Sequence, residues 1–592
     1  MSSLTHLVNE WLRLDRNEVT RNEIQSLYSE ANLQELEKRM RTRIEFGTAG
    51  LRGRMEAGWS RMNDLIIIQA SQGLCEYVLQ NVHDASSRGV VIGHDHRHNS
   101  ENWAELTAAV FIARNVKVYL HQGFVHTPLV PFSVKKLHAA CGVMITASHN
   151  PKQDNGYKVY WENAVQIIEP HDKGISDSIK CNLEPKVWGM VNLHSSPLCL
   201  DRTEDMREAY FTSILSLCLH RPLNMSTPLK FVNTSMHGVS NAFMARAFEL
   251  FGLPSFTPVQ EQQDPDPEFP TVKFPNPEEK GTDLALVTAK ECGANYILAQ
   301  DPDSDRFAGV EIRSDGSAVT FTGDQLGTLF ASVVLDRYRS SGKPLNKLAI
   351  VASTVSSKMI EAMAAVEGFK FAECLTGFKY IGNTALNLAQ EGYDVPFGYE
   401  EAIGYMFGSE IRDKDGVAAS VMFAEMAVCL HNQGKTAFSH LQELYERYGY
   451  FQTNNGYFIC HDPRIIDKIF TRVRNYDGAG TPENPSYPTS IASLTVTGVR
   501  DLTLGYDSAN PPTFKPVLPL SSGHMIQFRA ESQADQTRIT LTTRTSGTEP
   551  KIKYYLEGSG KSAEEVNKLL PKVVAELAGE WMEAGKNGLV HS

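Results

Sequence analysis

No apolar run in the chain approaches the roughly 20 consecutive residues that a membrane-spanning helix takes. The opening residues, Met1-Ser-Ser-Leu-Thr-His6, lack the basic and apolar stretches of a secretory leader. The nine cysteines include no C-x-x-C pair, and their odd number argues for a reducing compartment over a disulfide framework. Blocks of Lys and Arg are missing too, and the net charge of −12 disfavours a nucleic-acid surface. These absences leave a soluble cytoplasmic protein with neither membrane nor nucleic acid as partner. They also mean that an anionic ligand must be captured by local cations, against the overall charge. What is present is ordinary for a globular chain, with 42% hydrophobic and 21% charged residues. At 592 residues it exceeds a single core, and about three to five domains are expected.

Residues 4 to about 43 carry a helical pattern, with Leu4, Leu7, Val8, Trp11 and Leu12 on one apolar face. Thr20-x-x-Glu23 reads as a capping box that opens a second helix burying Ile24, Leu27 and Tyr28. Strand-like runs follow at 90–95, 116–122 and 141–146, with a helical pattern between the first two, as in βαβ units. The pattern restarts near residue 205. It gives a strand at 229–233, a helix ending at Phe251, an acidic Pro-rich loop over 264–280 and a strand at 294–299. A third unit has a helix at 323–339, a strand at 347–352, the loop Thr376-Gly-Phe-Lys379 and a strand ending in Gly398-Tyr-Glu-Glu-Ala-Ile-Gly404. From about residue 450 short strands mix with a closing helix over about 562–584. Internal similarity is faint, so element order defines the expected domains: three similar α/β domains, 1–205, 206–321 and 322–449, and a smaller α+β domain, 450–592.

Polar loops fall after strands, where open α/β sheets bind ligands. The first is Thr146-Ala-Ser-His-Asn-Pro151, a hydroxyl, an imidazole and an amide on a tight turn. Ser148 is a candidate nucleophile, weak unless a base or metal activates it. His149 and Lys158 are candidates for proton transfer; His237, a lone histidine after a strand, ranks below them. A plain turn explains the same six residues about as well. Asp301, Asp303 and Asp305 alternate with Pro302 and Ser304. On an extended segment their carboxylates share one side, where they repel unless a cation compensates them. Hard oxygen ligands suit Mg²⁺. A Ca²⁺ loop would need Gly at its sixth and Glu at its twelfth position, where Arg306 and Ile312 stand, and that reading fails. Glu400 and Glu401 point to opposite faces of a strand end, so one can face a ligand. Two Gly-rich turns carry hydroxyls and a guanidinium suited to phosphate, one around Thr48 and Arg52, which on its own residues reads better as a simple loop, the other Thr543-Arg-Thr-Ser-Gly-Thr548, for which a plain turn is the alternative.

Together these stretches resemble, in order, five motifs of the α-D-phosphohexomutases: F-G-T-x-G-x-R-G at 46–53, T-A-S-H-N-P at 146–151, D-G/P-D-x-D-R at 301–306, the sugar-binding G-E-x-S-x-G around Glu400, and R-x-S-G-T-E-P at 544–550. Pro151-Lys-Gln-Asp-Asn-Gly156, Pro170-His-Asp-Lys-Gly174 and Glu400-Glu-Ala-Ile-Gly404 resemble the phosphopentomutase and glucose-1,6-bisphosphate synthase branch. The resemblance implies an α/β protein, three consecutive similar α/β domains plus a smaller α+β C-terminal domain around a central cleft. It implies catalysis by Ser148, His149, Lys158 and Arg52, with Mg²⁺ on Ser148, Asp301, Asp303 and Asp305. Substrate binding would fall to Thr48, Arg306, Thr376, Gly377, Lys379, Glu400, Ala402, Lys414, Arg544, Ser546, Gly547, Thr548 and Lys551. The activity implied is a phosphosugar mutase, an isomerase that works through a phosphoserine and a bisphosphate intermediate. It would be a monomer converting sugar 1-phosphates to ribose or deoxyribose 5-phosphate or glucose 6-phosphate, activated by glucose 1,6-bisphosphate or its pentose equivalent. Ala402 stands where many glucose-type members have serine, so pentoses are expected to be favoured. A mainly glucose-directed mutase, a bisphosphate synthase, a phosphatase and an idle sugar-phosphate-binding protein are the alternatives.

Overall fold

The computed structural model describes residues 3–47, 50–189, 191–278, 280–481, 484–546 and 550–591. Thr48, Gly547 and Thr548 lie outside the described residues. The chain forms two compact units, residues 1–341 with 377–438, and residues 342–376 with 439–592.

The first unit opens with helices Leu4–Leu14, Glu18–Ser29 and Leu33–Met40. Their apolar faces enter the core of the first sheet: Val8, Trp11, Ile24, Leu36 and Met40 are buried with Leu65, Ile66 and Val90, and Leu4, Leu7, Leu12, Leu27 and Tyr28 pack against them. The capping box expected at Thr20 and Glu23 does not form. Asn17 caps the second helix instead, its side-chain oxygen accepting from the N–H groups of Val19 and Thr20 at 3.0 and 3.4 Å. Asparagine one turn upstream is the stronger cap, so Thr20 becomes an interior residue whose hydroxyl donates to Asp15 at 2.6 Å.

The first sheet has the order β1 (Leu51–Arg54), β5 (Asp154–Tyr160), β4 (Cys141–Ile145), β2 (Val90–His94), β3 (Val118–Leu120) and β6 (Cys199–Leu200). Strands β2, β3, β4 and β6 run parallel and are linked through helices, whereas β1 and β5 form an antiparallel edge. Every residue of β2 and of β4 is buried, which is why both read as continuous apolar runs and not as alternating ones. The second sheet, ordered β11 (Ala318–Thr320), β10 (Phe307–Ile312), β9 (Tyr296–Gln300), β7 (Phe231–Thr234) and β8 (Thr257–Pro258), repeats the plan, with parallel inner strands and an antiparallel flank. An antiparallel hairpin, Asp394–Glu400 with Gly404–Phe407, completes the strands of this unit.

In the second unit Leu348–Ser353 pairs parallel with Lys370–Cys374. The C-terminal region is an antiparallel meander through Leu494–Asp501, Met525–Glu531, Arg538–Thr545 and Lys551–Gly560. Helices Pro463–Arg474 and Ala563–Glu576 cover it, burying Phe470, Phe528, Leu541, Val566 and Trp581 in one core. Among the described residues no helix is long and apolar enough to cross a membrane.

Candidate active site

Strand β4 delivers Ser148 three residues past its carboxyl end, into a turn where φ is +53°. A non-glycine residue there is strained and persists only if its surroundings hold it. Three sets of bonds do so. The Ser148 N–H donates to the Thr146 hydroxyl at 3.0 Å, and the Thr146 N–H donates to the Gly156 carbonyl at 3.2 Å. Arg97, 3% exposed, donates from one guanidinium to four carbonyls of the loop: Ser148 at 2.5 Å, Asn150 at 2.6 Å, Pro151 at 2.9 Å and Asp154 at 3.2 Å. Asp95 lies 3.3 Å from its Nε, and Phe269 sits under the guanidinium with its ring centre at 5.0 Å.

The Ser148 hydroxyl donates to Asp301 Oδ2 at 2.7 Å, with His149 Nδ1 at 3.3 Å. Asp301, Asp303 and Asp305 offer oxygens within 4.8 Å of one another, all buried. The segment that carries them is not extended as expected. Residues 301–306 form a turn with Ser304 at φ +60°, closed by Ser304 N–H on the Asp301 carbonyl at 2.9 Å. Side chains two apart on a strand face stand roughly 6.8 Å apart along it, too far for this convergence. Only glycine fits at 416, because a Cβ would lie 2.3 Å from the Arg306 carbonyl oxygen. The N-terminal end of helix Gly416–Asn432 therefore presses on the aspartate turn, with Gly416 N–H donating to Ser304 O at 3.0 Å.

The charges in this cluster are arranged unevenly. Lys158, on β5, donates to Asp303 at 2.7 Å and to Asp305 at 2.8 Å. Burial opposes its charge, but the two carboxylates outweigh burial and hold the ammonium above its ordinary range. For Asp303 burial works upward, and Lys158 together with the Thr127 hydroxyl, 2.6 Å away, carries it below the ordinary range. Burial, then Asp303 and Asp305, raise Asp301. Lys414 approaches Asp305 at 3.4 Å. Burial, then Arg306 and Arg52, push the His149 imidazole well below its usual value, so it is neutral at physiological pH. Oδ1 of Asp303 and Oδ1 of Asp305 are buried without hydrogen-bond partners among the described residues, the latter 3.9 Å from the Arg306 Nε. Two orphaned carboxylate oxygens beside a serine hydroxyl and a third aspartate fit a hard divalent cation.

Around this centre stand the other expected groups of the first unit. Arg306 donates its backbone N–H to Asp301 Oδ1 at 3.0 Å, and its buried Nε, 3.9 Å from Asp305, has no hydrogen-bond partner among the described residues. Arg52 lies exposed on β1, donating to Asn150 Oδ1 at 3.2 Å. Glu400 closes its strand, 7% exposed, and burial pushes its carboxyl up to about 7, against the pull of Lys414. Ala402 is half-buried in the turn that follows. Gly377 precedes helix Phe378–Gln390, so Phe378 and Lys379 are helical residues and not part of a loop. Lys379 is 6% exposed, its Nζ has no hydrogen-bond partner among the described residues, and burial lowers it to about 8.

Sequence models of phosphoglucomutase/phosphomannomutase α/β/α domains I, II and III match residues 43–186, 208–313 and 322–448. The chain belongs to the phosphoglucomutase/phosphomannomutase family. It is 43% identical over 598 residues to a phosphopentomutase of Homo sapiens, covering 98% of this chain and 96% of that one. It is 42% identical over 601 residues to a glucose 1,6-bisphosphate synthase of Homo sapiens, covering 98% and 95%. The crystal structure of a putative phosphomannomutase from Thermus thermophilus shares its fold with a TM-score of 0.65, at 22% identity over 91% of this chain and 100% of that one.

The C-terminal loop of this phosphoglucomutase/phosphomannomutase family member is described in part. Arg544, at the end of strand Arg538–Thr545, donates to the Tyr555 hydroxyl at 3.0 Å, and its buried Nε has no partner among the described residues. Ser546 N–H bonds the Lys551 carbonyl at 3.0 Å, and the Lys551 ammonium lies over the Tyr457 ring at 4.1 Å. Thr376 holds a buried hydroxyl with no partner among the described residues. His237 turns away, bonding Thr271 at 2.8 Å. Sequence reasoning missed Arg97 and Thr127. The one available signal for Arg97 was Asp95-x-Arg97 at the carboxyl end of β2, a polar pair on the ligand side of the sheet. Thr127, whose N–H and hydroxyl both bind Asp303, carried none.

Proposed function

We propose that this member of the phosphoglucomutase/phosphomannomutase family is a phosphosugar mutase that favours pentoses. It converts ribose or deoxyribose 1-phosphate to the 5-phosphate, turns over glucose phosphates less readily, and uses Ser148 as the phosphoryl carrier. The observation that carries the reading is the Ser148 hydroxyl, 2.7 Å from Asp301 within a buried triad of aspartates. In the forward half-reaction the sugar hydroxyl attacks phosphorus, the bond from Ser148 Oγ to phosphorus breaks, and a sugar bisphosphate results. In the second half the other phosphate returns to Ser148 and the 5-phosphate leaves. Such transfers depend mostly on positioning and on charge stabilisation. Lys158, held protonated, donates to the developing charge, and Arg306 and Arg52 add cations. The neutral His149 ring, 3.3 Å from Ser148 Oγ, can take the proton of the attacking sugar hydroxyl and pass it to the departing serine oxygen, and run the reverse in the second half. Asp301, Asp303, Asp305 and Ser148 Oγ would hold Mg²⁺, which when bound neutralises the phosphoryl oxygens. Glu400 would take sugar hydroxyls, Lys379 would bind substrate, and the Arg544 loop would take the non-reacting phosphate. A sugar bisphosphate would prime Ser148. We assign the protein to the cytoplasm as a monomer acting on small sugar phosphates.

The 42% identity to a glucose 1,6-bisphosphate synthase keeps that activity as the second reading. An isomerisation assay with ribose, deoxyribose, glucose and mannose 1-phosphates, each with catalytic bisphosphate, separates the two. Net isomerisation of pentose phosphate is expected. Accumulation of bisphosphate only when an acyl phosphate is supplied would favour the synthase.

A further inference from the structure

At the amino ends of β2 and β4 lies a cavity of about 240 Å³, lined among others by Arg88, Lys135, His138, Glu162, Glu410 and Arg412. Arg88 and His138 precede these strands, whereas Ser148 follows β4, so the cavity and the active site lie at opposite ends of the sheet. A five-residue strand separates them by roughly 17 Å.

The carboxylates of this cavity are already matched. Glu162 accepts from Arg88 at 2.7 Å, and Glu410 is paired with Lys135 at 3.2 Å and with Lys136 at 2.7 Å. Arg88 further donates to the carbonyls of His138 at 2.9 Å and Ala139 at 3.2 Å, which fixes it in the wall. Arg412 differs. It is 7% exposed, and a single nitrogen, Nη1, makes both of its bonds, to the carbonyls of Val395 at 2.7 Å and Gly408 at 3.2 Å. Among the described residues its buried Nε has no hydrogen-bond partner and Nη2 makes no bond, although the charge of Glu410 acts on it from a distance. Burial lowers its guanidinium to about 10, which leaves it a cation at neutral pH. A buried guanidinium with idle donors is costly to keep unless something accepts from it. Its Nη2 is a donor left for the oxygens of a phosphoryl group, and the Lys135 ammonium, which donates to the Ser409 carbonyl at 2.7 Å and to Glu410 at 3.2 Å, keeps a third N–H.

We propose that this cavity is a second ligand site, which binds a small phosphate monoester with its phosphoryl group on Arg412. Three lining cations, Arg88, Lys135 and Arg412, against two carboxylates leave one positive charge for the ligand. The volume admits a phosphoryl group on a short carbon chain and falls just below the roughly 300–1,000 Å³ of pockets that bury a drug-sized ligand. The proposal goes beyond the mutase reading and does not depend on it.

The test uses the full-length protein. Crystals are soaked in selenate, a tetrahedral dianion located by anomalous scattering, and solution titrations use inorganic phosphate and glycerol 3-phosphate. Selenate is expected on Arg412, with one binding event beyond the active site. That event should weaken at least tenfold, about 1.4 kcal/mol, in both Arg412→Leu and Lys135→Gln. Lys135 has a half-exposed side chain, so Lys135→Gln still reports if Arg412→Leu fails to fold. Glycerol 3-phosphate should bind tighter than inorganic phosphate; equal affinities would overturn the monoester assignment in favour of the free ion. Absence of selenate at Arg412 when the active site is filled, or unchanged titrations in both variants, would overturn the site itself.

Discussion

Replacing Arg97 by methionine keeps the stem of the side chain and removes the guanidinium that holds the Ser148 loop. Four loop carbonyls lose their donor, and Asp95 is left buried beside a neutral side chain. Hydrogen bonds to a charged group are each worth about 1.5–3 kcal/mol, but these four share one guanidinium and do not add. Breaking a buried ion pair by deleting one partner costs roughly 3–5 kcal/mol, which sets the expected loss of stability. Function should suffer separately. Without the clamp, Ser148 can leave its left-handed conformation, which disfavours a non-glycine residue by roughly 1–2 kcal/mol. A nucleophile displaced by about 1 Å loses on the order of 100-fold in rate. We therefore expect kcat for ribose 1-phosphate to fall about 100-fold with KM within a few-fold, because the groups assigned to the sugar lie on other segments. Arg97→Lys, which restores the charge and one or two donors, should recover part of kcat. Urea unfolding and steady-state kinetics on the same preparations read both effects. A folded Arg97→Met protein with kcat within threefold of wild type would refute the clamp.

Asp303→Asn is expected to lower activity about 100-fold and to raise the Mg²⁺ needed for half-maximal rate; full activity of the wild type in chelator would contradict the cation site. Glu400 has a raised carboxyl pKa, so the stability it contributes is complete below about 4.5, declines as pH rises, and is gone above about 7. The span corresponds to about 3 kcal/mol, and urea midpoints in chelator should fall between pH 4.5 and 8 in wild type and change less in Glu400→Gln. A variant with the same slope as wild type would assign the pH dependence to another group. Ala402→Ser adds a hydroxyl beside Glu400, worth roughly 0.5–1.5 kcal/mol to a sugar hydroxyl, and should shift the pentose-to-glucose ratio of kcat/KM several-fold toward glucose. An unchanged ratio would show that position 402 does not set the preference.

Much of the candidate site is legible in the sequence because it is local. Thr146 to Pro151 and Asp301 to Arg306 each carry their chemistry within six residues, next to apolar strands that survive in the fold as β4 and β9. Arg97 and Thr127 escaped because their partners lie about 50 and 176 residues away, beyond any motif. The antiparallel strand β5 was hidden for another reason: it begins directly after a functional loop, and its first residues read as part of that loop. Periodicity also misplaced local detail. The aspartates converge through a turn where alternation along a strand was expected, and Asn17 took the cap assigned to Thr20. The sugar preference is written in contacts worth about 1 kcal/mol each, and composition and spacing do not register differences of that size.

The central claim is that the phosphoryl group travels through Ser148, and a single-turnover transfer tests it directly. Protein incubated with glucose 1,6-bisphosphate and freed of ligand is mapped by peptide mass, then mixed with one equivalent of ribose 1-phosphate. The expected result is one phosphate on Ser148 that disappears as ribose 1,5-bisphosphate forms, with no phosphate taken up by Ser148→Ala. Phosphate on a different residue, or turnover by Ser148→Ala at the wild-type rate, would contradict it.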